Sequence, residues 1–153
     1  MKSLMLILAV VFVLIFCSPV FSSTVDDLLV IDEENFLKQY KEGIDNEAYA
    51  KQAGIENWAC QYQVGYRNYA EIYQEGYANL NVQYQYGVDN FALCFRIGYW
   101  NFNLQVQCGV ANVALLSQTG DWNFSKQIQI GGFNKSVIVQ NGCRNFAYVT
   151  QRS

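Results

Sequence analysis

The sequence predicts an all-β fold. The expected form is a parallel β-solenoid of strand-turn-strand 22-residue repeats, with two facing sheets and about five rungs, of the cross-β, amyloid-forming kind. Three observations predict it. Glycine returns every 11 residues, asparagine follows each glycine by three, and the residues between alternate with period two.

Ten of the eleven glycines lie in one phase: Gly43, Gly54, Gly65, Gly76, Gly87, Gly98, Gly109, Gly120, Gly131 and Gly142. Asparagine keeps the same step at Asn46, Asn57, Asn68, Asn79, Asn90, Asn101, Asn112, Asn123, Asn134 and Asn145, and Asn35 extends the column backwards. Glutamine precedes the glycines by two at Gln52, Gln63, Gln74, Gln85, Gln107, Gln118, Gln129 and Gln140, and Gln151 closes the series. Lys41 and Arg96 are the two departures. The unit is Gln-x-Gly-x-x-Asn-x-Ala-x-x-x, without insertion or deletion from Gly43 to Gln151.

An 11-residue period also suits a right-handed helical supercoil. Glycine in every unit argues against that, because each would cost a helix about 1 kcal/mol. The stretch Asn68-Tyr69-Ala70-Glu71-Ile72-Tyr73-Gln74 alternates instead. One face reads Asn, Ala, Ile, Gln and the other Tyr, Glu, Tyr, which is a strand. Gly76 and its successors then form a turn, where glycine accepts positive φ.

The third inward position distinguishes alternate strands. It reads Gln61, Gln83, Gln105 and Gln127 in one set, against Ala50, Ile72, Cys94, Leu116 and Ile138 in the other. The structural period is therefore 22, and two strands make a rung. The apolar core is expected at Ile72, Cys94, Leu116, Ile138 and Val149. The Asn and Gln columns are expected to stack as amide ladders, each side chain bonding the rung above and below. A buried amide is costly without partners, so in-register stacking should satisfy all but the end rungs.

The chain of 153 residues contains no His. That excludes Ser-His-Asp and Cys-His catalysis and His-ligated metal sites. Glu71, Glu75, Asp89 and Asp121 form no acid pair, so no enzymatic activity, cofactor or metal is expected. The net charge of −3 gives no nucleic-acid footprint. Cys60, Cys94, Cys108 and Cys143 fall at four different unit positions. Cys94 reads as a small inward residue, and the others as unpaired.

Residues 1–22 read as a secretory signal. Lys2 precedes the apolar run Leu4–Phe16, which is too short to span a bilayer, and Val20 and Ser22 suit a cleavage site. A lipid anchor on Cys17 is the rival, disfavoured by bulky Phe16. Residues 23–40 form an acidic segment containing the start of a decayed repeat at Asn35, and residues 41–153 form the repeat domain. Neither end of the repeats carries an evident cap, and uncapped strand edges template pairing with another chain. Aromatics including Trp58, Tyr62, Tyr69, Phe91, Phe102 and Tyr148 alternate outward, either to stack along the sheets or to promote bundling and adhesion.

The repeats resemble those of the curlins, as in Asn112-Val113-Ala114-Leu115-Leu116-Ser117-Gln118-Thr119-Gly120-Asp121-Trp122-Asn123. The likeness extends over residues 35–151. It implies a secreted subunit of curli, the extracellular amyloid fibres of biofilm matrix and cell adhesion. Its implied partners are its own copies, a second curlin, and an outer-membrane secretion and assembly apparatus, with no small-molecule substrate. The tail Val149-Thr150-Gln151-Arg152 and the charges Lys126, Lys135 and Arg144 are similar to the minor, nucleating type. The acidic leader and bulky turns depart from the major type. The alternative is a monomeric solenoid binding ice or polysaccharide, which calls for a regular outward row of small hydroxylic residues that the mixed rows here lack.

Overall fold

A computed structural model of the chain describes residues 28–31 and 35–153. The signal segment and residues 23–27 and 32–34 of the acidic segment lie outside the described residues.

Twelve strands follow one another: β1 (Leu28–Ile31), β2 (Phe36–Ile44), β3 (Glu47–Ile55), β4 (Trp58–Tyr66), β5 (Tyr69–Tyr77), β6 (Leu80–Val88), β7 (Phe91–Tyr99), β8 (Phe102–Val110), β9 (Val113–Thr119), β10 (Phe124–Gly132), β11 (Lys135–Asn141) and β12 (Phe146–Arg152). Odd strands form one sheet in the order β1-β3-β5-β7-β9-β11, and even strands form the other. Every pairing is parallel with an offset of 22 residues, as in Gln83↔Gln105 and Ala70↔Ala92. The molecule is thus a β-solenoid of about five turns with two facing sheets. β2 already runs in register with β4, so the decayed repeat from Asn35 supplies a full strand.

The corners follow from the Gly-x-x-Asn part of the unit. Gly87 has φ +126° and Asp89 φ 56°, and the chain reverses between them. A Cβ on Gly87 would run into the carbonyl oxygen of Gly109, the equivalent glycine one rung on. Both the left-handed backbone and the close approach of stacked corners therefore call for glycine here. The second turn position is also left-handed in every unit but is filled by ordinary residues, among them Ala78, Ala111 and Trp122. The asparagines stand at the corners, immediately before the strands, rather than within them.

The interior follows the alternation. Ala50, Ala59, Ile72, Cys94, Leu116 and Ile138 form the apolar core, and Val149 packs against it partly buried. A second cluster departs from the alternation. Cys60, Val82 and Leu104 belong to the outward-pointing set of the even sheet yet are buried, with Trp58, Leu80, Phe102 and Val106 packed against them. Cys94, Cys108 and Cys143 are free. Cys60 corrects the expectation for its class, because it is disulfide-bonded.

Candidate functional site

The phase-locked Asn and Gln of the unit assemble into five columns, and Asn81, Asn103 and Ser125 form a shorter one. The corner asparagines split into two, Asn35-Asn57-Asn79-Asn101-Asn123-Asn145 on one side and Asn46-Asn68-Asn90-Asn112-Asn134 on the other. In each, the backbone N–H of one Asn donates to Oδ1 of the Asn 22 residues earlier, as from Asn90 to Asn68 at 3.2 Å and from Asn145 to Asn123 at 3.0 Å. Nδ2 reinforces this bond and also donates to the carbonyl of a glycine one rung on, as from Asn68 to Gly87 at 2.9 Å. One side chain thus ties three consecutive rungs together.

The glutamines form the other three columns, and their polarity is opposite. Where a glutamine follows one rung on, Nε2 donates forward to its Oε1. Gln61, Gln83, Gln105 and Gln127 are joined at 3.0, 2.8 and 2.8 Å. Gln63, Gln85, Gln107, Gln129 and Gln151 are joined at 2.8, 2.8, 3.0 and 2.9 Å. The third column runs Gln52, Gln74, Arg96, Gln118, Gln140.

The spacing of Gln-x-Gly-x-x-Asn now has a physical reason. Nε2 of Gln52, Gln63, Gln85 and Gln107 donates to the backbone carbonyl of Asn57, Asn68, Asn90 and Asn112, five residues on, at 2.9 to 3.0 Å. The same amide closes the turn of its own rung and passes a bond to the next. Glycine between them permits the reversal.

The ladders are interrupted inside the stack, which corrects the expectation that only the end rungs leave amides unsatisfied. Arg96 replaces Gln and is fully buried. Its Nη1 reproduces the turn bonds, to Leu80 O at 2.6 Å and Asn101 O at 2.9 Å, and its Nε contacts Cys94 Sγ at 3.3 Å. No carboxylate accompanies the guanidinium among these contacts. Burial pulls the Arg96 guanidinium down from its usual range and pushes the Cys94 thiol up, the latter partly opposed by Arg96. Gln74 Nε2, Gln118 Oε1 and Arg96 Nη2 are left without partners. Gln63 Oε1 is orphaned similarly because Lys41 precedes it in register, and Asn81 Nδ2 because Ala59 does.

The outward aromatics stack along the axis. Tyr40, Tyr62 and Tyr84 have ring centroids 4.6 and 4.8 Å apart, and Phe102, Phe124 and Phe146 are spaced 4.9 and 4.9 Å. Such pairs add about 0.5–1.5 kcal/mol each beyond area burial. Four tyrosines also donate to a glutamate two residues away, including Tyr69 to Glu71 at 2.8 Å. Burial first, then that bond, pushes the Tyr69 phenol up to about 12.

Both sheets end in open edges among the described residues: β11 and β12 at one end, β1 and β2 at the other. Comparison with protein-family models, with curated proteins and with solved structures finds no match.

Proposed function

We propose that this chain is a secreted structural subunit of extracellular, curli-like functional amyloid fibres. It polymerises end to end through its solenoid edges and serves cell adhesion and biofilm matrix. The observation that supports this reading most is the pairing of strictly repeated ladders with sheets whose terminal strands have no neighbour among the described residues. A corner-asparagine column and a backbone edge whose outermost members lack a rung gain bonds when another chain adds one. The outward aromatic columns favour the same outcome, since they lengthen with each added copy. Its partners in this reading are its own copies, a second curlin, and the outer-membrane apparatus that exports them, with a role as the surface nucleator of the second subunit.

The test uses the chain from residue 23 onward. Purified protein is expected to pass from soluble to thioflavin-binding fibres after a lag, and preformed fibres should abolish the lag. Fibre diffraction should show the strand and sheet spacings of about 4.7 Å and about 10 Å. Protein that stays monomeric under seeding would overturn the reading. For the nucleating role, substoichiometric amounts should shorten the lag of the companion subunit, and an unchanged lag argues against it.

A further inference from the structure

We infer that the partner at the open edge is a second copy of this chain in one fixed polarity and register, joined through Arg152 to Glu42 and steered by an axial charge separation. This deepens the fibre-subunit reading and rests on it.

Charge is distributed unevenly along the solenoid axis. Among the described residues, 35–75 carry 6 Asp and Glu against 4 Lys and Arg, whereas 76–153 carry 2 against 5. One end of the stack is therefore acidic and the other basic. Tail-to-tail contact would bring Lys135, Arg144 and Arg152 of one copy against the same residues of another. It would also set Asn145 Oδ1, an acceptor in the backward-running ladder, against its own equivalent. Head-to-tail contact pairs opposite signs and repeats without closing, the geometry that gives a filament.

The register follows from continuing the 22-residue offset by one rung beyond β12. Phe146 then meets Phe36 of the next copy, Asn145 meets Asn35, Tyr148 meets Lys38 and Arg152 meets Glu42. Each of these junction pairs has a precedent inside the molecule. Arg67 and Asp89 are also 22 residues apart and form an ion pair at 2.8 Å. Phe124 and Phe146 stack at 4.9 Å across one rung. Lys and Tyr one rung apart also meet inside the molecule, in the reverse order, with Lys51 over the Tyr73 ring 5.5 Å from its centroid. Phe146 is 70% exposed and Phe36 42% exposed, so the joint would cover an exposed aromatic on each edge. Glu42 and Arg152 are both exposed strand-end residues.

The glutamine columns do not carry the joint. In this register Gln151 meets Lys41, Val149 meets Gln39 and Gln140 meets Val30, so all three glutamine ladders lapse there. The junction is thus the place where side-chain charge matters most, and charge steering acts chiefly on the association rate.

The test is seeded elongation on wild-type fibres at low and high salt, since screening shortens from about 30 Å at 0.01 M to about 3 Å at 1 M. Arg152→Glu and Glu42→Arg are each expected to elongate at least about tenfold more slowly at low salt, with the difference shrinking at high salt. The double variant, carrying the swapped pair, should recover elongation on its own seeds. Arg67→Glu makes the same charge change away from both edges and should elongate normally. Wild-type fibres that grow while the double variant is no faster than either single variant overturn this joint and leave the subunit reading standing. Arg67→Glu slowing as much as Arg152→Glu would do the same, because net charge would then explain the effect. Failure of wild-type protein to form fibres removes both.

Discussion

Gln83 donates from Nε2 to Oε1 of Gln105 at 2.8 Å, and Gln105 passes the same bond to Gln127 at 2.8 Å. Both residues are buried. Each amide also donates across the core to a backbone carbonyl of the odd sheet, Glu71 for Gln83 and Leu93 for Gln105. The column therefore fixes the register of the even sheet and clamps the two sheets together.

Breaking this column should weaken both rung stacking and assembly. Gln83→Ala with Gln105→Ala removes three linked bonds and leaves Gln61 Nε2 and Gln127 Oε1 without their ladder neighbours. Unsatisfied buried groups cost about 1–3 kcal/mol each. Slower fibre growth and a lower guanidinium midpoint are expected, and unchanged values would refute the inward ladder. Gln105→Glu adds a pH signature. Burial would raise its carboxyl above the unfolded value of about 4.3, so its penalty is absent below that pH and grows as pH rises.

Arg96 interrupts the odd-sheet column and leaves Gln74 Nε2 and Gln118 Oε1 facing a guanidinium that bonds neither. Arg96→Gln would restore a donor and an acceptor at the matching heights and remove a buried charge without a carboxylate partner. A stability gain of roughly 1–4 kcal/mol is expected, together with a shorter lag. Denaturation of the variant beside wild type checks this. A lower midpoint would show that the bonds of Arg96 to Leu80 O and Asn101 O, with its contact to Cys94, outweigh the charge.

Much of this architecture is legible in the sequence because the repeat never slips. Gly76 and Gly87 mark corners, Ile72 and Leu116 mark the interior, and a 22-residue offset places Gln83 on Gln105. The opposite polarities of the Asn and Gln ladders were not legible, because donor direction depends on corner geometry that spacing alone does not contain. Arg96 was visible as a departure, but a charged residue at an inward position reads equally as a break in the repeat or as a buried guanidinium. The burial of Cys60, Val82 and Leu104 on an outward-pointing set was hidden too, since alternation assigns a side but not what lies over it.

The corner glycines should separate into those under two constraints and those under none. Gly87→Ala must hold a Cβ at φ +126° against the Gly109 carbonyl. Gly132→Ala meets only Val110 O at 3.6 Å, an ordinary contact. The first is expected to cost more than about 2 kcal/mol and to abolish seeded growth, and the second to stay within about 0.5 kcal/mol of wild type. Conversely, Ala111 sits at φ 54°, where an L residue pays about 1 kcal/mol that glycine does not. Ala111→Gly should therefore raise the unfolding midpoint, and a fall would mean that flexibility of the unfolded chain dominates at this corner.

Alkaline pH should weaken the fold through its tyrosines. Tyr69 is pushed up to about 12 by burial and by its bond to Glu71, from an ordinary value of 10.0. A group whose folded value is raised contributes stability that is complete below the unfolded value and lost as pH rises through the folded one. The Tyr69 contribution is thus intact below about pH 10 and declines between about 10 and 12. Tyr40, Tyr62, Tyr73 and Tyr84 are shifted in the same direction, so their losses on alkalinisation add to that of Tyr69. Tyr69→Phe keeps the ring that stacks on Phe91 at 5.0 Å but removes the ionisable group. The variant should lose the hydroxyl bond at neutral pH and yet fall less steeply from pH 10 to 12. Parallel stability curves for the two proteins across that range would show that Tyr69 ionises alike in the folded and unfolded chains.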